Sequence, residues 1–449
     1  MENKMTVGKP LSLILKFMFP ILLGFLFQQL YNMVDTVIVG RFVGPDALAA
    51  VGSTGTIMFM ILGVANGLTT GFTVLISQKF GAGDMTATRQ AFVNSMILGA
   101  ISTSIITVIS LIVMHPLLHL MNTPENIYVD AYSYIATICA GSLPLIFYNL
   151  FAASLRAIGD SKTPLYFLIL AALLNIILDL LFVIGFRWGT MGAALATDVS
   201  QGVSAILSII HIMRNVPTLR PKKEDWHFYR NFTAKQLNIG VPMALQFGIT
   251  ASGTMVMQSA INIYGSVAVG GFTAAGKVIN LMTAGMPSIG QTMAAYTGQN
   301  FGHGDLSRIR QGTRDAMKIS FVYSLVTGVL TVVSLPYIIG LFFESGSNLA
   351  EYMPYAKTYC YECVFFYLSL AMIFIYRNTM QGCGYGKTAL LLGIMELVAR
   401  LITAFISMAI KSYPLAVAGD AVSWLFTGFL GWFLYLFVMK QLKEKFHME

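Results

Sequence analysis

Long apolar segments recur along the whole of this 449-residue chain, and each is long enough to cross a lipid bilayer as a helix. Twelve such segments can be counted, the first near residues 11–39 and the last near residues 414–439. A spanning helix needs roughly 20 mostly apolar residues, and lipid tolerates only helices and closed barrels. Barrel strands would show as short alternating segments, which these are not. The sequence therefore predicts an all-α integral membrane protein with twelve transmembrane helices.

The charged residues fit a multi-pass protein. Only 11% of the residues are charged, against roughly 25% in soluble domains. Most of the 28 Lys and Arg residues fall in loops that the helix count places on one side, as the positive-inside rule describes. The net charge of +8 therefore does not indicate a nucleic-acid partner. The first apolar run continues through Pro20 to Val39, which is too long for a cleaved signal peptide. From the side on which the basic loops fall, we expect both termini to be cytoplasmic.

One loop motif occurs twice in register, which indicates an internal duplication. The first copy is Gln78-x-Phe80-Gly81-x-Gly83-Asp84 and the second is Gln299-x-Phe301-Gly302-x-Gly304-Asp305, in the other half of the chain. A second matching pair of loops aligns Gly159 with Gly384 at a slightly larger offset. In the first motif, Gly permits a tight turn and Asp can accept backbone N–H bonds at the start of the next helix. We interpret these loops as structural rather than as ligand sites.

A polar stretch that contains Pro217 and Pro221 separates the two halves. We expect an N-terminal six-helix lobe at residues 1–214, a cytoplasmic linker at 215–234 and a C-terminal six-helix lobe at 235–449. Six is an even number, so both halves enter the membrane from the same side and form a parallel, pseudo-symmetric repeat. In a membrane protein, two related halves usually indicate a transporter with its site between them.

Two motifs suggest chemistry that their context excludes. The segment 382–388 resembles a phosphate loop, but Gln381 stands where the pattern requires Gly, and no buried strand precedes it. Cys360 and Cys363 lie within a predicted helix, and the four cysteines include no partner cluster for zinc. We therefore expect a protein that is not an enzyme, does not hydrolyse ATP, and uses no cofactor.

Polar residues inside predicted helices are costly in lipid, and acids above all need an explanation. Two residues four positions apart lie on one helix face. A carboxylate in a wet cavity can bind a proton or cation from one side and release it on the other, which suits an ion-coupling site. The alternative for the first-helix acid is a position near the helix end, reached by water and without a role. The residues concerned are Tyr31 and Asp35 in the first helix, Asn175 and Asp179 in the fifth, and Thr197 and Asp198 in the sixth.

The second half of the chain lacks equivalents of these acids. At the offsets of the two loop motifs, Asp35 aligns with Val256, Asn175 aligns with Arg400 and Asp179 aligns with Ala404. Glu396 lies one turn before Arg400, so the two side chains can neutralise each other within one helix. We therefore expect any acid chemistry to be confined to the N-terminal half.

These features resemble the multidrug and toxic compound extrusion (MATE) family of bacteria. The resemblance rests on two six-helix halves, the opening segment from Pro20 to Gly52, the sequence Arg156-Ala157-x-Gly159-Asp160, and the paired Gly-x-Gly-Asp loops. It implies a transporter of the bacterial cytoplasmic (inner) membrane that alternates between outward-open and inward-open states. It also implies multidrug efflux and drug resistance, with amphipathic organic cations exported in exchange for protons or sodium ions.

The resemblance also implies roles for individual residues. Family members with an ion site in the N-terminal lobe combine a first-helix Asp, a Tyr one turn earlier, an Asn/Asp pair in the fifth helix and a Thr in the sixth. The matching residues here are Asp35, Tyr31, Asn175, Asp179 and Thr197, with sodium possible at Asp35 and Asp179. The residues expected to line the substrate cavity are Gln28 and Asn149, which resemble family positions, and Asp198, which is an additional acid.

Two other functions stay open. A lipid-linked sugar flippase of the same superfamily would have more helices and a strongly cationic cavity, whereas this chain places acids there. A passive channel would need neither paired acids nor duplicated lobes, and its transport would not depend on an ion gradient. We expect small organic cations and membrane lipid as the partners and a monomer as the working unit. The sequence does not identify the physiological substrate or decide between proton and sodium.

Overall fold

The computed structural model describes residues 4–120, 123–342 and 349–446, and within these ranges the chain forms helices and no strand. A six-residue π-helix, Leu180–Gly185, continues the sixth α-helix. Short 3-10 turns lie at Lys223–Asp225 and Ile339–Phe342. The α-helices are α1 (Pro10–Phe42), α2 (Pro45–Gly81), α3 (Met85–Leu120), α4 (Glu125–Ala140), α5 (Ser142–Ala157), α6 (Lys162–Asp179), α7 (Gly189–Asn215), α8 (Arg230–Asn262), α9 (Ser266–Met282), α10 (Gly285–His303), α11 (Leu306–Ile338), α12 (Leu349–Val364), α13 (Tyr367–Gly382), α14 (Gly386–Ile410) and α15 (Tyr413–Lys445).

The helices account for the twelve expected spans. In the described part of the chain, nine helices are long and apolar enough to cross a membrane, and three bent helix pairs bring the total to twelve. The pairs are α4 with α5, bent by 50°, α9 with α10, bent by 41°, and α12 with α13, bent by 51°. Large apolar side chains such as Ile112, Leu325 and Phe405 are exposed on these helices, as expected of surfaces that face lipid. The predicted fold class is therefore confirmed, with three spans broken.

Proline accounts for two of the three breaks. Pro144 is the third residue of α5 and Pro287 is the third residue of α10. Proline has no N–H, so neither residue can donate to the carbonyl four positions earlier, and a continuous helix loses a bond at that point. The third break has no proline nearby but falls at Phe366, which aligns with the break at Gly141. The offset between Gly141 and Phe366 is the same as that between Gly159 and Gly384, so the two halves of the repeat bend at equivalent positions.

Contacts divide the chain into two compact units. Unit 1 comprises Met1–Val7 and Phe19–Leu245, and unit 2 comprises Gly8–Met18 and Gln246–Glu449. This division crosses the predicted lobes in two places, because the start of α1 belongs to unit 2 and the start of α8 belongs to unit 1. We retain 1–214, 215–234 and 235–449 as a proposed division by sequence repeat. Its ends, residues 1–3 and 447–449, lie outside the described residues.

Two glycines allow the start of α8 to contact α2 directly within unit 1. A Cβ on Gly71 would overlap the backbone of Gly240, and a Cβ on Gly67 would lie 2.7 Å from the Cα of Ala244. Gln236 fixes the position of α8 along α2, because its Nε2 donates to the backbone carbonyl of Phe72 at 3.1 Å. This buried amide, rather than apolar packing alone, holds the start of α8 in unit 1.

The duplicated loops have the predicted structural role. Gly83 and Gly304 have φ values of 76° and 84°, which favour glycine. Asp84 Oδ1 accepts from the N–H of Ala87 at 2.9 Å, and Asp305 Oδ1 accepts from the N–H of Arg308 at 2.9 Å. Partial burial raises the pKa of Asp305, but hydrogen bonds from that N–H and from a neighbouring hydroxyl outweigh burial and hold the pKa below its ordinary value. Each aspartate therefore caps a helix.

Candidate functional site

Asp35 and Asp179 bring two carboxyl groups together inside unit 1. Asp35 lies on α1 and is 9% exposed, while Asp179 ends α6 and is fully buried. The two carboxyl groups lie within hydrogen-bonding reach of each other. Among the residues that the structure describes, no donor contacts Asp35 Oδ1 or either carboxyl oxygen of Asp179. Two adjacent carboxylates without donors repel each other, so a shared proton or cation would stabilise the pair.

Asp179 also stands at a change of helix type. The π-helix Leu180–Gly185 begins at the next residue, and such segments occur frequently at functional sites. The fifth apolar segment, near residues 163–186, predicts one regular helix through this region and gives no sign of the change. The apolar run 180–184 satisfies either helix type, so hydropathy carries no signal for it.

Asn175 adds an amide oxygen one turn before Asp179. Its side chain is 2% exposed, and its Nδ2 donates to Thr197 Oγ1 on α7 at 3.4 Å. The Thr197 hydroxyl in turn donates to the carbonyl of Ala193 at 3.2 Å. This chain of two bonds orients the amide, and no donor in the described part of the chain contacts Asn175 Oδ1. The oxygen is therefore available to a proton donor or a cation.

The remaining predicted residues divide between this cluster and other contacts. The Tyr31 hydroxyl hydrogen-bonds the side chain of Gln28 and lies close enough to Asp35 and Asp179 to interact with their charges. Gln28 itself is exposed. The amide of Asn149 donates to a backbone carbonyl of its own helix, α5, at 2.9 Å. The structure thus places Tyr31 near the acid pair and Gln28 beside Tyr31, while the amide N–H of Asn149 is engaged elsewhere.

Tyr134 on α4 is a member of the cluster that the sequence analysis missed. It is buried and interacts electrostatically with Asp35, Asp179 and Asp198. The helix contains three tyrosines, and its sequence alone does not distinguish Tyr134 from the other two. The signal that would have found it is its repeat partner, Tyr359, at the offset that relates Gly159 to Gly384.

Asp198 packs against the helix break between α4 and α5. Its carboxyl group lies so close to Gly141 that a Cβ there would overlap it. The break exposes the N-terminal end of α5, whose partial positive charge favours a carboxylate. Asp198 also interacts with Cys139 and Tyr134. Tyr134 thus lies near enough to interact with the charges of both Asp198 and Asp35.

Unit 2 contains a separate buried set of charges. The predicted pair of Glu396 and Arg400 is confirmed, with Arg400 NH1 3.5 Å from Glu396 Oε2. Arg400 also donates through Nε to Asp420 Oδ1 at 3.0 Å, and the Tyr359 hydroxyl donates to Asp420 Oδ2 at 2.6 Å. Arg377 NH1 lies 3.8 Å from Glu396 Oε1. Two arginines therefore balance two acids, whereas the Asp35–Asp179 pair has no cationic partner among the described residues of unit 1.

Comparison with known proteins relates the chain to drug transporters. "Probable multidrug resistance protein YpnP" of Bacillus subtilis (strain 168) is 29% identical over 394 residues, which are 87% of this chain and 86% of that protein. "Multidrug export protein MepA" of Staphylococcus saprophyticus subsp. saprophyticus is 21% identical over 401 residues, which are 87% of this chain and 85% of that protein.

A solved structure shows the same fold. It is described as the outward-facing conformation of a multidrug resistance MATE family transporter of the MOP superfamily. It superposes with a TM-score of 0.91 at 23% identity and covers 99% of each chain. The MatE family model matches residues 20–181 and 242–406, one segment in each half. The chain therefore belongs to the multidrug and toxic compound extrusion (MATE) family of membrane transporters.

Proposed function

We propose that this protein is a multidrug efflux antiporter that exports amphipathic organic cations in exchange for protons or sodium ions by alternating access. The observation that carries the proposal is the contact of Asp35 with Asp179, two buried carboxyl groups without a cationic partner among the described residues of unit 1. The names of the relatives, which refer to multidrug resistance and multidrug export, support the substrate class. We place the protein in the bacterial cytoplasmic membrane, with both termini in the cytoplasm, and expect it to work as a monomer.

The acid pair can exchange one cation for another. When both carboxyl groups are ionised, their charges in low-dielectric surroundings attract a lipophilic cation. A proton or a sodium ion bound to Asp35 and Asp179 neutralises the pair and removes that attraction. A ligand shifts a conformational equilibrium only by its differential affinity for the two states. If drug and ion each favour a different state, their competition for one site couples their opposite movements.

Neighbouring oxygen atoms fit the same role. Sodium is a hard cation that oxygen ligands suit, and the Asn175 amide oxygen and the Thr197 hydroxyl supply oxygens beside the carboxylates. The bond from Gln28 would orient the Tyr31 hydroxyl near the pair. We assign Gln28, Asn149 and Asp198 to the substrate cavity, where aromatic and methionine side chains would bind flat cations of varied shape.

Transport in everted membrane vesicles tests the proposal. The vesicles carry a pH gradient that respiration generates, acridine orange reports the gradient, and ethidium is added first without sodium and then with it. Recovery of fluorescence without sodium supports proton exchange, and recovery only after sodium is added supports sodium exchange. Asp35→Asn is expected to abolish either response while the amount of protein in the membrane is unchanged.

The exposed residue Asp84 provides a matched control, because its carboxylate caps a helix away from the cluster. Asp84→Asn keeps an oxygen that can cap the helix, removes one charge, and is expected to transport like the wild type. A wild-type protein that responds to neither ion, or an Asp35→Asn variant that transports normally, would contradict the proposal. The first of these results would favour a lipid-linked sugar flippase.

A further inference from the structure

Unit 2 contains an altered copy of the residues that surround the acid pair in unit 1. Tyr134 aligns with Tyr359 and Asn175 aligns with Arg400 at one common offset. The same offset relates Gly159 to Gly384, so both pairs of residues occupy equivalent positions of the repeat.

The sixth and twelfth spans align at a slightly shorter offset. The sequence Ala194-x-Ala196-x-Asp198 recurs in the twelfth span as Ala416-x-Ala418-x-Asp420. Asp198 and Asp420 are therefore repeat partners, and Thr197 corresponds to Gly419. Asp198, the acid without a family counterpart, is thus matched by an acid in the second half, so the expectation that the second half lacks equivalents of these acids is wrong at this position.

The first and seventh spans align at the same shorter offset. Pro20 inside α1 corresponds to Pro242 inside α8. The pair Met33-Val34 recurs as Met255-Val256. This alignment moves the partner of Asp35 from the expected Val256 to the next residue, Met257, and both are apolar. The other aligned pairs are Gln28 with Thr250 and Tyr31 with Gly253.

The copy in unit 2 forms around the guanidinium group of Arg400. Arg400 contacts Asp420 through Nε at 3.0 Å and Glu396 through NH1 at 3.5 Å. Tyr359 donates to Asp420 at 2.6 Å, and Thr250 Oγ1 donates to Glu396 at 3.3 Å. All the charged members are buried. A buried carboxylate requires a partner, and here a covalently attached cation meets that requirement.

One small residue at an aligned position provides space for Arg400, and another provides space for Met257, which aligns with Asp35. A Cβ on Gly253, which aligns with Tyr31, would lie 3.3 Å from Arg400 NH1. A Cβ on Gly419, which aligns with Thr197, would lie 3.1 Å from the sulfur of Met257. The differences between the copies therefore occur as a set. The cation side chain is present where both acids of the pair are replaced, Asp35 by Met257 and Asp179 by Ala404, together with the tyrosine and the threonine.

We propose that Arg400 is a built-in cation, whose guanidinium group takes, in the second copy of the site, the place that the coupling ion takes in the first. The inference rests on the proposed function, because it treats Asp35 and Asp179 as the ion site. It follows that unit 2 binds no coupling ion and that Arg400 restricts ion coupling to unit 1. Arg400 is thus a specificity-determining residue, which Asp420 and Tyr359 hold in position.

The test converts Arg400 to the residue of the first copy. Arg400→Asn is made in an Asp35→Asn/Asp179→Asn background, in which the proposed ion site has lost both carboxylates and is expected to bind no ion. Binding of radioactive sodium and uptake of protons are measured on the purified full chain. The background protein is expected to bind neither ion specifically. Arg400→Asn leaves the buried Asp420 carboxylate uncompensated, while Arg377 still faces Glu396, and is therefore expected to gain about one sodium ion or proton per chain.

Arg89 supplies the matched control. Its Nε lies 3.1 Å from Asp225 Oδ2, a similar pair that lies outside the copied residues. Arg89→Asn in the same background also leaves a buried carboxylate, Asp225, without its cation, so it measures the proton uptake that any such acid gives, and it is expected to bind no sodium. A folded Arg400→Asn variant that gains no sodium and no more protons than Arg89→Asn would overturn the inference. Ion binding that the wild type shows and the Asp35→Asn/Asp179→Asn background lacks is scored separately. That difference tests the proposed function alone.

A second measurement covers poor folding of the Arg400→Asn variant. Its thermal stability is compared in sodium and choline salts and across pH, alongside the charge-balanced variant Arg400→Asn/Asp420→Asn. Stabilisation of Arg400→Asn by sodium or by acid, absent from the charge-balanced variant, supports the inference, because a ligand that binds the folded state stabilises it. Equal behaviour of the two variants in all these conditions would overturn it.

Discussion

The carboxyl groups of Asp35 on α1 and Asp179 on α6 lie within hydrogen-bonding reach, although four helices separate them along the chain. Neither lies beside a cationic side chain in the described part of unit 1. In unit 2 the equivalent region holds Arg400 between Glu396 and Asp420. One copy of the duplicated site thus carries its own cation and the other does not. This difference leads us to assign ion exchange to unit 1.

The two acids of unit 1 are expected to act as a single group. Asp35→Asn and Asp179→Asn should each reduce drug-driven ion movement by about tenfold or more, and the double variant should be no worse than either single variant, because residues of one functional group are not additive. Export by proteoliposomes, with the amount of inserted protein measured, checks this. A double variant whose loss equals the product of the single losses would show that the acids act independently.

Gly141 is expected to tolerate no side chain while Asp198 is present. Gly141→Ala introduces a methyl group that overlaps the Asp198 carboxyl group, and overpacking costs about 1–3 kcal/mol. Thermal unfolding in detergent should therefore show a lower midpoint for Gly141→Ala. Gly141→Ala in an Asp198→Ala background should cost less than in the wild type. The same loss in both backgrounds would argue against this contact.

Two glycines of α2 are expected to respond differently to the same substitution. Gly71→Ala forces a methyl group into the backbone of Gly240 and should destabilise the protein by about 1–3 kcal/mol. Gly52 has no atom within 4 Å of an added Cβ. Gly52→Ala should therefore be neutral or stabilise the helix by about 0.5–1 kcal/mol. Midpoints of thermal unfolding for the two variants decide the matter, and equal effects would contradict the close approach of α8 to α2.

The cap at Asp305 is expected to make a pH-dependent contribution to stability. Asp305→Ala removes the acceptor of the Arg308 N–H and should cost about 1 kcal/mol at neutral pH. Partial burial raises the pKa of the folded-state carboxyl group, but hydrogen bonds outweigh it and hold that pKa below 3.8, so the ionised form is the stabilising one. The stability difference between wild type and variant should be full above pH 3.8 and decrease as the pH falls through the folded-state pKa. A difference that grows in acid would contradict this assignment.

Hydropathy predicts the twelve spans but not their breaks. A window average is the same for a straight and a bent helix, so the 50° bend at Gly141 leaves no trace in it. Two of the breaks do have a local marker in the sequence. Pro144 and Pro287 each stand third in the helix that follows the break. The break at Phe366 had no such residue and became interpretable only through its repeat partner.

Helical spacing predicts part of the site. It places Tyr31 with Asp35, and Asn175 with Asp179, on shared helix faces. It does not predict the contact of Asp35 with Asp179, which depends on how α1 and α6 pack. The contact of Arg400 with Asp420 escaped prediction for another reason. The offset between the two halves varies along the chain, so the offset that aligns Asn175 with Arg400 does not align Asp198 with Asp420.

Competition between drug and ion tests the central claim most directly. Binding of radioactive tetraphenylphosphonium to the purified wild-type protein is measured while either the proton or the sodium concentration is raised, with choline balancing the ionic strength. We predict that one of the two ions weakens drug binding in the wild type. Asp35→Asn/Asp179→Asn should bind the drug weakly and without dependence on either ion. Wild-type drug affinity that is independent of both ions, or competition that persists in the double variant, would contradict the assignment of ion exchange to Asp35 and Asp179.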